Sequence, residues 1–403
     1  MSSDTTQASN ATLPLIILLG AVSGLTPLAI DMYLPAMPAI AETLGTNSHR
    51  VQATLAAYTG GFALGQLLFG PLSDAKGRRP VLLGGMLVFA IAAMLCAMAD
   101  SVESLTWLRA AQGFAGAASA VVVQALVRDL FNREDFARTM AYITLVMTLA
   151  PLIAPMLGGH LAHWFGWRSI FWVLTGVTVL IAVFSSLKLP ETLPLERRQP
   201  LHFASIIRSY LRLISSPVAL GFMLCGAFSF AGMFAFLTGA SFIYIELYDV
   251  SPQHTGYLFG LNVLSLMLFT TLNGKWVRKL GSRTMLRVAL SLQLLAGLLM
   301  PIGALLGWGL WSVVAPIMLY VGVISTIGSN SMASLLSSLP NLAGTASSLA
   351  GTLRFGIAAL AAAFVSLLPD TSPLYMLGTM SGCALLSALA YWLLCEGRTA
   401  SEG

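Results

Sequence analysis

The amino-acid sequence predicts an all-helical membrane protein of twelve transmembrane helices in two six-helix halves, and three observations lead there. The 403 residues are 57% hydrophobic and only 9% charged, where an average soluble protein carries about 25% charged residues. So much apolar side chain exceeds what one globular core hides, and lipid is its natural solvent. Twelve stretches approach the roughly 20 largely apolar residues that cross a bilayer as a helix. One turn signature also occurs twice, half a chain apart.

In the first half the spans are expected at 13–38, 51–71, 80–99, 104–127, 138–162 and 168–188. In the second half they are expected at 217–244, 254–273, 284–304, 309–337, 343–367 and 373–395. A single long polar connection, 189–216, contains PETLPLERRQPLHF and divides the spans six and six. Residues 1–12 and 396–403 are read as tails. The segment MSSDTTQASNAT places no Lys or Arg ahead of the apolar run, and no cleavage site is followed by a polar domain. The first span is therefore expected to be retained.

Basic residues set the orientation, because Lys and Arg concentrate in cytoplasmic loops. With the N-terminus inside, Arg50 and Arg168 fall in outer loops and Arg109 and Arg354 inside spans. The remaining 17 of the 21 Lys and Arg are then cytoplasmic, as are both termini. The net charge of +5 follows from this topology and gives no reason to expect a nucleic-acid partner. Cys96, Cys225, Cys383 and Cys395 lie in or beside apolar runs without a CxxC pair or a neighbouring His. They read as small core residues, and no metal site is expected.

The repeated signature is GPLSDAKGRR from Gly70 and GKWVRKLGSR from Gly274, which lies 204 residues later. Gly77 and Arg79 in the first copy match Gly281 and Arg283 in the second, as in a duplicated transporter. The first copy is dense in charge, with Asp74, Lys76, Arg78 and Arg79. Asp74 is expected near the start of the span opened by PNLAGTASS (340–348), where a helix N-terminus favours a carboxylate. The cluster would then act as a gate latch.

Within the spans, Asp31 in LTPLAIDMYLPAMP is the one acid. Burial disfavours a charged carboxylate and a nearby cation favours it, and such opposing influences suit a group that takes up and releases protons. The competing reading is a helix end near water, since Pro35 and Pro38 follow. Arg109, in LTWLRAAQGFAGAASA, is the cation expected to share its depth. A buried Arg costs roughly 2.5–3.5 kcal/mol on insertion scales, so it should face a cavity or a carboxylate unless it snorkels to the surface. Gly113, Gly116, Ala117 and Ala120 offer small surfaces for close packing. In APLIAPMLGG, Pro151 and Pro155 remove backbone donors while Gly158 and Gly159 permit close contact, as in a bend at a moving seam. Arg354 is a second buried cation with no evident acid. Tyr33, Tyr58, Gln124, Met147, Asn262 and Asn330 complete the candidate cavity, although buried amides often serve as interhelical glue.

Taken together, these motifs resemble the major facilitator superfamily and, within it, the twelve-span drug:proton antiporters. GPLSDAKGRRPVL is similar to that family's signature between spans two and three, and LRAAQGFAGAA to its span-four signature. APLIAPMLGG is similar to the span-five antiporter signature, with Ala150-Pro151 where a Gly-Pro is usual. DMYLPAMP and LPET look most like the Bcr/CflA group, named for bicyclomycin and chloramphenicol resistance. The resemblance implies the major facilitator fold in a bacterial inner membrane. It gives Asp31 and Arg109 roles in proton and substrate coupling, and Gly70, Asp74, Gly77, Arg78 and Arg79 a cytoplasmic gate. The expected function is proton-coupled efflux of small amphipathic compounds by alternating access. A monomer is expected, driven by the proton gradient without a cofactor. Proton-coupled export or symport of a metabolite, such as an amino acid or small peptide, remains the alternative. A membrane enzyme would need a catalytic cluster or nucleotide loop, and the sequence has neither.

Overall fold

A computed structural model describes residues 13–131, 133–198, 203–338, 343–369 and 372–396. The expected tail 1–12 lies outside them, as does 396–403 apart from Glu396. Among the described residues, twelve long helices form the body. They are α1 Leu13–Asp31, α2 Ser48–Lys76, α3 Arg78–Ala97, α4 Val102–Leu130, α5 Arg133–Phe165 and α6 Arg168–Lys188 in the first half. In the second half they are α7 Pro217–Phe242, α8 Pro252–Leu280, α9 Ser282–Leu305, α10 Trp311–Ser338, α11 Ala343–Leu367 and α12 Leu374–Tyr391.

Among the described residues, ten helical segments are long and apolar enough to cross a membrane. The two long helices outside that count, α2 and α5, are those that join the halves: α2 packs on α4 and α11, and α5 on α1 and α8. Shelter from lipid lets α2 carry Gln52, Thr54, Thr59 and Ser73 as buried polar residues. Exposed Trp107, Trp164, Trp308 and Trp311 ring one end of the bundle, and Trp276 is exposed near the other. Such aromatic belts sit at the two membrane–water interfaces.

The duplication is visible in backbone geometry. Gly77 joins α2 to α3 at φ 103° and ψ 155°, and Gly281 joins α8 to α9 at φ 80° and ψ 155°. This positive-φ region suits glycine because a Cβ strains it, which explains why the signature repeats a glycine there. Each glycine also donates its N–H back into the preceding helix, Gly77 to Ser73 and Gly281 to Val277.

Two departures from the sequence expectation bear on function. Regular helix in the first span stops at Asp31, and the chain continues through a tight turn, Leu34–Ala36, into a short helix, Met37–Thr43. Proline at 35 cannot donate to the Asp31 carbonyl, nor proline at 38 to the Leu34 carbonyl, so the ladder breaks in mid-span. Residues Met32–Met37 are nonetheless buried, and Pro14–Thr43 forms one span-length segment. Asp31 therefore lies at an internal break, and the reading of a water-facing helix end does not hold. The connection 189–216 is likewise more ordered than its polarity implied, with a helix at Phe203–Ile214.

Candidate functional site

The interior of the first half is organised by Arg109 of α4, which is fully buried. Backbone approach makes room for it: a Cβ on Gly113 of α4 would overlap the Tyr58 carbonyl, and one on Gly61 of α2 would overlap the Ala110 carbonyl. Small residues let membrane helices close to this range. The guanidinium donates from Nη1 to Gln112 Oε1 at 2.6 Å and from Nη2 to the Ala29 carbonyl at 3.2 Å. Rings of Tyr58, Tyr33 and Phe171 surround it, with centroids 4.3, 4.7 and 5.8 Å from the guanidinium carbon. Tyr33 is itself fixed by a 2.6 Å hydrogen bond to Thr54. Full burial rules out snorkelling. An aromatic cage and a helix carbonyl thus hold the cation, and Ala29 lies at the C-terminal end of α1, where a positive charge is favourable.

Asp31 sits two residues beyond Ala29 and is buried to 8% exposure, the single acid in the described buried set. Arg109, the cation expected to share the depth of Asp31, is not bonded to it: among the described residues Asp31 has neither a hydrogen bond nor an ion pair, and Arg109 is committed to Ala29 and Gln112. Instead, Arg109 fixes the end of the helix that presents the acid. From the other side the break is pressed by α5, where a Cβ on Gly158 would overlap the Met32 backbone. Gly159 and Pro155 are buried beside it and Pro151 is half-buried. Below them Gly20 and Gly24 of α1 face Val146 of α5. A buried carboxylate with no partner among the described residues, at a helix break clamped by Arg109 and Gly158, is arranged to exchange a proton or meet a cation.

The remaining candidates divide. Asn330 of α10 donates to Asn273 Oδ1 of α8 at 2.8 Å, which makes it interhelical glue. Asn262 bonds its own helix at Leu258, and its Oδ1 is buried without a partner. Gln124 of α4 and Met147 of α5 are exposed. Arg354 of α11 lies 3.9 Å over the Phe230 ring of α7, and its Nε is buried without a partner. Phe355 beside it packs on Phe62 of α2 at 4.4 Å, so the two halves meet there through aromatic rings.

At the linker end, the charge cluster forms a compact network. Arg78 is buried and meets Asp74 at 2.5 Å, Ser73 Oγ at 2.7 Å and Asp129 of α4 at 3.3 Å. Glu191, from LPET, accepts the N–H groups of Arg78 at 2.9 Å and Arg79 at 3.3 Å, and so caps α3. An acid at a helix N-terminus is favourable. Arg79 Nη2 donates to the Ser186 carbonyl at 2.6 Å. Glu191 in the linker and Asp129 in the last turn of α4 carry no local sequence signal for these partners. The start of the PNLAGTASS segment, 340–342, lies outside the described residues, so the expected latch partner of Asp74 does too. A Cβ on Gly70 would lie 3.9 Å from Ser348 of α11, which places this motif at the seam between halves.

Lysine at position 109 keeps the charge but loses the planar fork that spans Gln112 and Ala29. Arg109→Lys is expected to lower stability by about 2–3 kcal/mol through unmet buried partners and to abolish function. Thermal unfolding in detergent checks the first and whole-cell transport the second.

Residues 19–363 match the sequence profile of the Major Facilitator Superfamily. The chain is 40% identical to a protein of Haemophilus influenzae named as a bicyclomycin resistance protein homolog, over 96% of this chain and 98% of that one. It is 32% identical to a chloramphenicol resistance protein of Pseudomonas aeruginosa, over 88% of this chain and 84% of that one. Its fold matches the crystal structure of a D-xylose-proton symporter with a TM-score of 0.73 at 14% identity, covering 96% of this chain and 99% of that one.

Proposed function

The chain belongs to the major facilitator superfamily, and on that premise we propose that it is a proton-coupled exporter of small amphipathic compounds working by alternating access. The observation that carries this reading is Asp31: a buried carboxylate with no bonding partner among the described residues, at a clamped break in α1. A group so placed binds a proton from one side and gives it up when a substrate or the other side's water displaces it. Arg109 positions that carboxylate through Ala29. The relatives named for bicyclomycin and chloramphenicol resistance support drug-like substrates.

Orientation belongs to the same proposal. The linker end, with Arg78, Arg79 and the Glu191 cap, faces the cytoplasm because most basic residues lie there. The membrane is then a bacterial inner membrane and the driving force its proton gradient, with no bound cofactor. Asp74, Arg78 and Glu191 would hold the seam closed when α2 and α11 pack together at Gly70 and Ser348. Arg354 over Phe230 favours a second reading, in which the cargo carries an anionic group, as amino acids and small peptides do.

A susceptibility panel in an efflux-deficient bacterium tests the proposal. Cells producing the chain should tolerate higher concentrations of at least one amphipathic antibiotic than vector controls, and a protonophore should remove the difference. A panel with no shift, or protection that survives collapse of the proton gradient, contradicts it.

A further inference from the structure

The helix Phe203–Ile214 in the linker has three distinct faces. At about 100° per residue, Ile207, Leu211 and Ile214 fall within a sector of about 60°, and all three are exposed. Arg208 and Arg212 lie on one side of that stripe and are exposed too. Tyr210 and Leu213 lie on the other. Leu213 is buried against the core formed by Phe222, Leu286, Leu335 and Ala346, and the Tyr210 hydroxyl is 3.2 Å from Ser348 Oγ of α11. One face is thus bonded to the protein, one is bare hydrocarbon, and one is cationic.

Position identifies what covers the bare face. Only Ser215 and Ser216 separate this helix from Pro217, the first residue of α7, so it lies at the depth where a span enters the bilayer. An exposed apolar stripe flanked by arginines at that depth has the form of an interfacial helix. The charge complements anionic lipid, not zwitterionic lipid. We propose that Phe203–Ile214 lies in the headgroup layer, with Ile207, Leu211 and Ile214 in the acyl boundary and Arg208 and Arg212 on the phosphates of anionic phospholipids. Tyr210 links this attachment to Ser348, which faces Gly70 across the seam. Anionic lipid therefore bears on where α11 meets α2. Each arginine near an anionic surface strengthens attachment roughly fivefold.

The test uses the full chain in vesicles of phosphatidylcholine with or without phosphatidylglycerol. Cys96, Cys225, Cys383 and Cys395 are buried, so Leu211→Cys supplies a selectively reactive thiol for an environment-sensitive fluorophore. Emission should shift to the blue and be quenched by lipid-attached nitroxide, more strongly with phosphatidylglycerol. The double variant Arg208→Gln/Arg212→Gln, in the same labelled background, should lose that lipid dependence and keep the wild-type unfolding midpoint. A label equally open to an aqueous quencher in both vesicles overturns the proposal. So does shielding that depends on protein concentration and not on lipid, the signature of a second copy, or lipid dependence that survives in the double variant. None of these readouts requires a transport substrate.

Discussion

Asp31→Asn is expected to remove proton-driven export while leaving substrate exchange intact. Asparagine fills the same volume, and no ion pair or hydrogen bond of Asp31 exists among the described residues to be lost, so the fold should tolerate the change. What disappears is the ability to carry a proton. A gradient of about one pH unit is worth about 1.4 kcal/mol per coupled proton, a tenfold concentration ratio of cargo. The variant should lose that ratio entirely in inverted vesicles. In counterflow, where labelled cargo exchanges for unlabelled without net driving force, it should work close to the wild-type rate. Loss of both activities would assign Asp31 to binding or folding instead of coupling.

Gly158→Ala is expected to have the second largest effect, on stability and transport together. The added carbon would overlap the backbone of Met32, not the end of a flexible side chain. Neither main chain can yield locally, so α5 must move away from the break in α1. Overpacking of well-fitted sites costs typically about 1–3 kcal/mol, and a backbone obstacle places this site at the upper end. Gly176→Ala is the matched control, since a Cβ there meets nothing within 4 Å. A lower unfolding midpoint for Gly158→Ala, with Gly176→Ala unchanged, is the predicted pattern. Equal midpoints would mean that the contact between Gly158 and Met32 is not tight.

Much of this fold is legible in apolar runs, because span length is dictated by the bilayer and two polar ends are dictated by water. The duplication is legible for a sharper reason: Gly77 and Gly281 occupy a backbone region that other residues avoid, so the turn leaves a mark in the sequence. Partner choice is less legible. Arg109 and Asp31 share a depth, yet helix rotation turns the guanidinium to Ala29, Gln112 and the rings of Tyr33, Tyr58 and Phe171. No spacing rule contains that rotation. Asn330 reads equally well as ligand or glue until Asn273, 57 residues away, is placed beside it. Pro35 and Pro38 announce a break after Asp31, but only the burial of Met32–Met37 shows that the chain stays inside the protein beyond it. Glu191 was visible as part of LPET, while its role as the cap of α3 depends on two helices meeting at one turn.

Coupling through Asp31 requires that its proton be exchanged for cargo, and proton release on substrate binding measures that directly. Purified protein in weakly buffered detergent solution, below the pH at which the bound proton leaves by itself, should acidify the medium when a transported compound is added. The Asp31→Asn variant, shown by calorimetry to bind the same compound, should release none. Equal proton release from both proteins would contradict the assignment of the coupling site to Asp31.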